Sequence, residues 1–243
     1  MNHLSGADQQ LLASGRALHH GPRRRPALEE FVRNQDLIGT LVSLTLHQPA
    51  DDAVRQVLIL AAKNGWAEVV VAMLEDCPGA DASASNRFGY TPLGEAARHG
   101  HIALVKILLG WNAFPHHLDM HHQSPVYYAA ENGHLDVLTI LLADSRVDPV
   151  ATDKFDMTPF AVAAHNGHEA IMKRLIDDAR VRRGASDPSS VPPTTILGDA
   201  ASSDRAAIVS LLLSCDWVEL NGRDKYQRTA LHVAAAQGHS KIM

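Results

Sequence analysis

The chain has few of the residues that mark several common protein classes. Its 243 residues include two cysteines, Cys77 and Cys215, which are too few and too far apart for a disulfide framework or a cysteine zinc site. Aromatic residues make up only 5%, so a core must be built mainly from Leu, Ala, Val and Ile. No apolar run reaches the roughly 18 residues of a membrane span, and no secretory signal opens the chain. We expect an intracellular protein, with a cytoplasmic location favoured over a nuclear one.

The chain also lacks an excess of positive charge. It has 22 Lys and Arg against 27 Asp and Glu, a formal net charge of −5. This balance excludes the electrostatic footprint of a nucleic-acid partner. Two short basic clusters, at 23–25 and 180–183, fit either nuclear-import signals or ordinary solvated segments.

Signatures of catalysis are missing from the sequence. There is no GxxxxGK[ST] phosphate loop and no HExxH zinc motif, and neither cysteine lies in a nucleophile signature. Carboxylates recur at Glu95, Glu131 and Asp199, where we interpret them as solvated or partner-facing. We therefore predict that the chain is not an enzyme and needs no cofactor and no small-molecule substrate.

What the chain does contain is an internal repeat. The stretch TPLGEAARHGHIALVKILL begins at Thr91, and related stretches begin at Ser124, Thr158, Thr195 and Thr229. The starting residues are separated by 33, 34, 37 and 34 positions. A fixed period of this length indicates one structural unit that is repeated, with one insertion.

Each unit carries local signals for a pair of helices. A hydroxyl at Thr91, Ser124, Thr158 or Thr229 can cap the first turn of a helix, and proline follows three of the four. Paired alanines allow close helix approach, and paired leucines supply bulk. A left-handed residue is predicted between the two helices. The residues at this position are Gly65, Gly100, Gly133, Gly167, Asp204 and Gly238.

This combination of Thr-Pro, Ala-Ala, Gly-His and Leu-Leu resembles the ankyrin repeat, a unit of about 33 residues with a β-turn and two antiparallel helices. The resemblance covers about three quarters of the chain. It implies an all-α fold, an ankyrin-repeat solenoid of stacked helix-turn-helix units with short β-turn fingers.

The domain organisation follows from where the pattern holds. We predict a disordered leader at 1–26, N-terminal capping helices or a degenerate extra repeat at 27–50, and a repeat array at 51–243. The array has about six units: the first is diverged, the last is truncated, and an insertion occupies 180–193. We expect the chain to be a fragment of a longer array. The Pro/Ser-rich insertion is either tolerated slack, a partner-specific loop or a phosphorylation target.

Two features of the sequence leave alternatives open. Gly89 suits the tip of a finger, but His122, Asp156 and Gln227 stand at the equivalent positions, which favours reshaped fingers. His101, His134, His168 and His239 belong to the repeated Gly-His pair and are interpreted as structural. The cluster from His116 to His122 fits either exposed polar residues or a zinc site.

The resemblance implies a non-enzymatic scaffold or adaptor that binds another polypeptide through the concave face of the stack. The alternative is a recognition or regulatory segment of a larger multidomain enzyme. Aromatic and basic residues of the finger column are candidate interface anchors, although the rings could instead pack finger against finger. The predicted partner-binding residues are Arg87, Phe88, Tyr90, Glu95, Arg98, His99, His121, Tyr128, Glu131, Asn132, Lys154, Phe155, His165, Lys225, Tyr226 and Arg228.

Overall fold

The computed structural model describes residues 51–77, 79–181, 193–215, 218, 220–223 and 226–242. The predicted leader at 1–26, the predicted capping helices at 27–50 and most of the insertion lie outside these residues. Within the described residues, eleven helices have defined bounds, residues 179–181 are also helical, and there is no strand. The described residues belong to two compact units, Met1–Met120 and His121–Met243.

The unit Met1–Met120 contains two helix pairs. The helices are α1 (Asp51–Lys63), α2 (Ala67–Asp76), α3 (Pro92–Arg98) and α4 (Ile102–Gly110). Helix α1 packs on α3 and α2 on α4, while each first helix also packs on the second helix of its own pair. Leu58, Leu93 and Leu108 are completely buried between them.

The unit His121–Met243 continues the same arrangement. Its helices are α5 (Pro125–Glu131), α6 (Leu135–Leu142), α7 (Pro159–Asn166), α8 (Glu169–Ile176), α9 (Pro193–Ser202), α10 (Ala206–Leu213) and α11 (Ala230–Gln237). First helices pack on one another in the order α5, α7, α9 and α11, and second helices in the order α6, α8 and α10. The predicted all-α architecture of stacked helix pairs is confirmed. None of the described helices is long and apolar enough to cross a membrane.

The predicted helix caps are present in both units. The hydroxyl of Thr91 accepts a hydrogen bond from the Gly94 amide at 3.0 Å, and that of Ser124 accepts one from the Tyr127 amide at 3.1 Å. Thr158 and Thr229 make the same bond in α7 and α11. Each cap satisfies an amide hydrogen that the first helical turn would leave without a partner.

The residue between the paired helices is left-handed at every predicted position. The φ angles are 73° at Gly65, 76° at Gly133 and 84° at Gly167. Asp204, which replaces glycine, has a φ of 51°. The side chain that follows this turn crosses to the preceding repeat: His101 Nε2 lies 2.9 Å from Lys63 O.

The same bridge occurs in the second unit, where His168 Nε2 lies 2.9 Å from Glu131 O and His239 Nε2 lies 3.1 Å from Ser202 O. These carbonyls end the preceding first helix, where backbone acceptors have no partner within the helix. The structural interpretation is therefore confirmed for His101, His168 and His239.

The expectation of reshaped fingers is wrong at the level of the backbone. Gly89 has a φ of 79°, and His122, Asp156 and Gln227 have φ angles of 61°, 61° and 63°. All four tips are left-handed, although such a conformation is unfavourable for glutamine. The left-handed tip is therefore preserved, and at Asp156 the Phe155 and Met157 amides hold the turn by donating to Asp153 Oδ1.

Arg180 has a role that its place in a basic cluster does not predict. Its guanidinium donates to the carbonyl of Leu142, the last residue of α6, at 2.7 Å and to the carbonyl of Val147 at 3.0 Å. It also pairs with Asp178, at 2.8 Å between Nη2 and Oδ2. These bonds satisfy acceptors at a helix C-terminus and hold successive repeats together. Arg180 is thus a structural residue, whereas Arg182 and Arg183 lie outside the described residues.

Replacing Arg180 by alanine should lower the free energy of unfolding at pH 7 by about 1–3 kcal/mol, because the carbonyls of Leu142 and Val147 lose a charged donor. The hydrogen bond from Arg180 lowers the pKa of Asp178. Because the pKa of Asp178 is lower in the folded state, its ionised form stabilises the fold above about pH 4. This stabilisation is lost as the pH falls through the folded-state pKa. The difference between wild type and variant in urea unfolding should therefore shrink from pH 7 to pH 3.

The matched control for this prediction is Arg146→Ala. Arg146 also pairs with an aspartate two residues away, Asp144, but it is exposed and donates to no described carbonyl. Its loss should cost less than about 1 kcal/mol. Equal costs for Arg146→Ala and Arg180→Ala would show that the carbonyl bonds of Arg180 add nothing.

Candidate functional site

The first finger is a tight turn held together by Asn86. The Asn86 side-chain oxygen accepts hydrogen bonds from the amides of Phe88 at 2.9 Å and Tyr90 at 3.1 Å. The backbone amide of Asn86 in turn donates to the backbone carbonyl of Tyr90 at 3.1 Å. A short polar side chain that bonds its own backbone in this way is a common turn-forming device. The flanking side chains are thereby presented from a fixed backbone.

A finger in the second unit uses the same design with an aspartate. Asp153 Oδ1 accepts from the amides of Phe155 and Met157, at 2.8 and 2.9 Å. Its other oxygen, Oδ2, accepts from the Tyr127 hydroxyl at 2.9 Å. Burial and then this bond to Asp153 raise the pKa of Tyr127 far above its usual range, so the phenol remains a donor. The finger is thus tied to helix α5.

The fingers differ in how far their aromatic rings project. Phe155 is 81% exposed and Tyr226 is 65% exposed, whereas Phe88 is 37% exposed. A ring that remains mostly in contact with water contributes little to packing. The interpretation in which the rings pack finger against finger is therefore disfavoured for Phe155 and Tyr226, while Phe88 is partly packed.

Cations accompany the aromatic residues. The guanidinium carbon of Arg87 lies 4.7 Å from the Phe88 ring centroid, and that of Arg98 lies 5.9 Å from the Tyr90 centroid. In the second unit, Arg228 lies 5.0 Å from the Tyr226 ring centroid. These separations fall within the range of cation–π attraction. Each arrangement offers an aromatic face and hydrogen-bond donors at the same place.

The structure removes two residues from the predicted set of partner contacts. Tyr128 is 2% exposed and Glu95 is 5% exposed, so neither offers accessible area. Glu95 was predicted to face solvent or a partner because charged residues usually do. Instead its carboxylate lies 3.8 Å from both the Arg98 and the His99 side chains. Glu95 therefore positions its neighbours.

The remaining predicted contacts differ in exposure and in position. Tyr90, Arg98 and Glu131 are partly buried, and Lys225 lies outside the described residues. The exposed members are Arg87, Phe88, His99, His121, Asn132, Lys154, Phe155, His165, Tyr226 and Arg228. The exposed members thus occur in both units, and they remain predictions of partner contact.

Sequence reasoning missed the residues that shape the fingers. Asn86 and Asp153 stand three residues before the finger tips at Gly89 and Asp156, and Asp119 stands three before His122. This recurrent Asn or Asp is the signal that could have identified them, because these side chains favour turns. Asp119 and Asp153 are 6% and 5% exposed, so their carboxylates lie inside the protein.

The candidate ligands for metal and the candidate nucleophiles are dispersed. In the part of the chain that the structure describes, no group of three or more His, Cys, Asp and Glu side chains could hold a metal ion. His116, His121 and His122 are exposed. Both cysteines are buried, and burial raises the pKa of the Cys77 thiol, which disfavours the nucleophilic thiolate.

Comparison with known proteins agrees with this geometry. A family model described as ankyrin repeats in three copies matches residues 30–119, 58–153 and 113–187. The chain is 35% identical over 88 residues to human "Ankyrin repeat and SOCS box protein 2", which is 35% of this chain and 13% of that protein. It is 35% identical over 85 residues to the rice "Probable E3 ubiquitin-protein ligase XBOS32", covering 35% of this chain and 17% of that protein.

A third relative comes from Neurospora crassa. The chain is 34% identical over 83 residues to "Ankyrin repeat protein nuc-2", covering 34% of this chain and 8% of that protein. The similarity to all three relatives therefore spans a small part of their length. The family matches together reach from residue 30 to residue 187, more than half of the chain. With the stacked helix pairs, the hydroxyl caps and the left-handed turns, they show that the chain belongs to the ankyrin-repeat family.

Proposed function

We propose that the chain is a non-enzymatic scaffold that binds another polypeptide through its fingers and the adjoining first-helix surfaces. Ankyrin repeats generally mediate protein–protein interaction. The observation that carries the proposal is the 81% exposure of Phe155 on a finger whose backbone is fixed from within by Asp153. Because most of the Phe155 ring contacts water, packing inside the protein does not explain an aromatic residue at this position.

The energetics favour a protein partner for such a finger. Transfer of a large apolar side chain from water into an interface contributes about 1.5–3 kcal/mol. Because Asp153 holds the turn, little conformational freedom of the backbone is lost on binding. Aromatic side chains with neighbouring cations are typical of the few interface residues that dominate affinity. Lys154 is the exposed cation beside Phe155.

A second candidate function has separate support. The rice relative is named as a probable E3 ubiquitin-protein ligase, and the matched part is 17% of its length. The second candidate is therefore the recognition segment of a larger enzyme, in which binding selects the substrate. Sequencing the complete transcript distinguishes the two candidates, because an open reading frame with a catalytic domain supports the second and contradicts the first.

Alanine substitution of Phe88, Phe155 and Tyr226 together should abolish capture of partner proteins from a lysate of the source cell. The melting temperature should fall only slightly, because two of the three rings are largely exposed. Binding is measured by affinity capture with quantitative mass spectrometry, and stability by circular dichroism. A lower melting temperature with undiminished capture would contradict the anchor role and support packing.

The matched control for this experiment is alanine substitution of Trp111, Phe114 and Leu118. These three apolar side chains are 37%, 52% and 41% exposed, and none belongs to the predicted contact set. Capture should be retained by this variant. Equal loss of capture in both triple variants would show that general surface hydrophobicity, and not the fingers, retains the captured proteins.

A further inference from the structure

The first finger and helix α3 in the unit Met1–Met120 form a cluster of two rings and two guanidinium groups. Its members are Arg87, Phe88, Tyr90 and Arg98. The Phe88 and Tyr90 ring centroids are 6.1 Å apart, with Arg87 over the first ring and Arg98 near the second. We name this set the finger-one cluster. It combines apolar faces and cationic donors within one turn of backbone and the helix that follows it.

The backbone beneath the finger-one cluster is pinned from two sides. Asn86 binds the amides of Phe88 and Tyr90, and the Phe88 carbonyl accepts from the Met120 amide at 2.9 Å. Gly89 lies so close to the following loop that an added Cβ would be 2.6 Å from the Asp119 Cα. The rings are therefore presented on a turn that is already ordered, which reduces the entropic cost of binding.

The negative and positive side chains around the finger-one cluster differ in their exposure to solvent. The nearby carboxylates of Glu95 and Asp119 are 5% and 6% exposed, whereas Arg87 is exposed. Among the residues that the structure describes, no carboxylate lies within 4 Å of the Arg87 guanidinium. The accessible surface is thus locally cationic and aromatic, although the whole chain has a formal net charge of −5.

We propose that the finger-one cluster binds an acidic peptide segment in which a carboxylate lies beside an aromatic or aliphatic side chain. This inference rests on the proposed scaffold function and specifies the chemistry of its partner. The Arg87 guanidinium, which lies over the Phe88 ring, has N–H groups at its edge that match the two oxygens of a carboxylate, whereas Arg98 is paired with Glu95. The half-buried faces of Phe88 and Tyr90 then accept the neighbouring apolar side chain.

The experiment uses a random library of 12-residue peptides displayed on phage, with the full 243-residue chain as bait. Peptides selected by the wild-type chain should be enriched in Asp or Glu next to Phe, Tyr, Trp or Leu. The Arg87→Glu variant should lose this enrichment. For the most enriched peptide, measured by fluorescence anisotropy, Arg87→Glu should weaken binding about 10- to 100-fold, as expected for loss of one charged hydrogen-bond donor.

The control variant is Lys241→Glu, which changes the net charge equally at an exposed position outside the finger-one cluster. Its affinity for the same peptide should stay within about twofold of wild type, because Lys241 is not a member of the finger-one cluster. Equal weakening by both variants would overturn the assignment to the finger-one cluster. Circular dichroism checks that both variants remain folded.

The outcomes separate this inference from the function on which it rests. Enrichment of peptides without acidic residues, or an enrichment that survives both Arg87→Glu and Phe88→Ala/Tyr90→Ala, would overturn the acidic partner and leave the scaffold function standing. No enrichment of any peptide would overturn both. Selection of acidic, apolar peptides that is lost with Arg87→Glu supports both.

Discussion

The Leu141→Ala variant should lose about 2–5 kcal/mol of unfolding free energy, the usual cost of truncating a fully buried leucine. Leu141 lies on α6 and is 0% exposed. Its removal leaves a cavity whose walls come from more than one helix, because α6 packs on both α5 and α8. The expected result is a clear fall in the urea midpoint followed by circular dichroism.

Stacked repeats make this effect wider than one helix pair. The stability of a repeat array is approximately a sum of repeat terms and terms for each interface between neighbours. The matched control is Leu213→Ala on α10, where the same substitution removes a side chain that is 52% exposed. That variant should lose less than about 1 kcal/mol. Equal midpoints for wild type and Leu141→Ala would place Leu141 outside the core.

Gly133→Ala should cause the second largest loss of unfolding free energy, after Leu141→Ala. Gly133 has a φ of 76°, where a side chain costs about 1–2 kcal/mol in backbone strain. An added Cβ would also lie 2.8 Å from the His168 ring, whose Nε2 is bonded to Glu131 O. Displacing that ring adds about 1–3 kcal/mol by overpacking. The total is measured as the shift in urea unfolding.

Two other glycines separate strain from steric conflict. Gly238 has a φ of 77°, but no atom of the described residues lies within 4 Å of an added Cβ, so Gly238→Ala should cost only the strain. Gly110 lies in α4 with the same open space and no left-handed angle, so Gly110→Ala should be neutral or stabilising by about 0.5–1 kcal/mol. A cost for Gly133→Ala no larger than that for Gly238→Ala would contradict the contact with His168.

The proposed binding surfaces of the two units differ in charge and in exposure. In the unit Met1–Met120, Arg87 and Arg98 flank rings that are partly buried, which favours a specific charged contact. In the unit His121–Met243, Phe155 and Tyr226 are more exposed and offer mainly apolar area. The tests proposed for these surfaces share the Phe88→Ala change, whereas Arg87→Glu alters only the surface of the unit Met1–Met120.

The sequence by itself determined the repeat period, the helix pairs, the capping hydroxyls and the left-handed glycines. These features are local: a cap acts on an amide three residues away, and a positive φ angle belongs to one residue. For that reason Thr91, Ser124 and Gly133 could be assigned from their neighbours in the chain.

Only the tertiary structure decided which polar and aromatic side chains face water. It placed Tyr128 and Glu95 inside, left Phe155 exposed, and turned Arg180 toward the Leu142 carbonyl at the end of α6. It also kept the finger turn at Gln227, where the residue preference alone favours another shape. The physical reason is that residues about 33 positions away, in the neighbouring repeat, bury these side chains and supply their hydrogen-bond partners. The sequence around a side chain therefore does not show whether that side chain is buried.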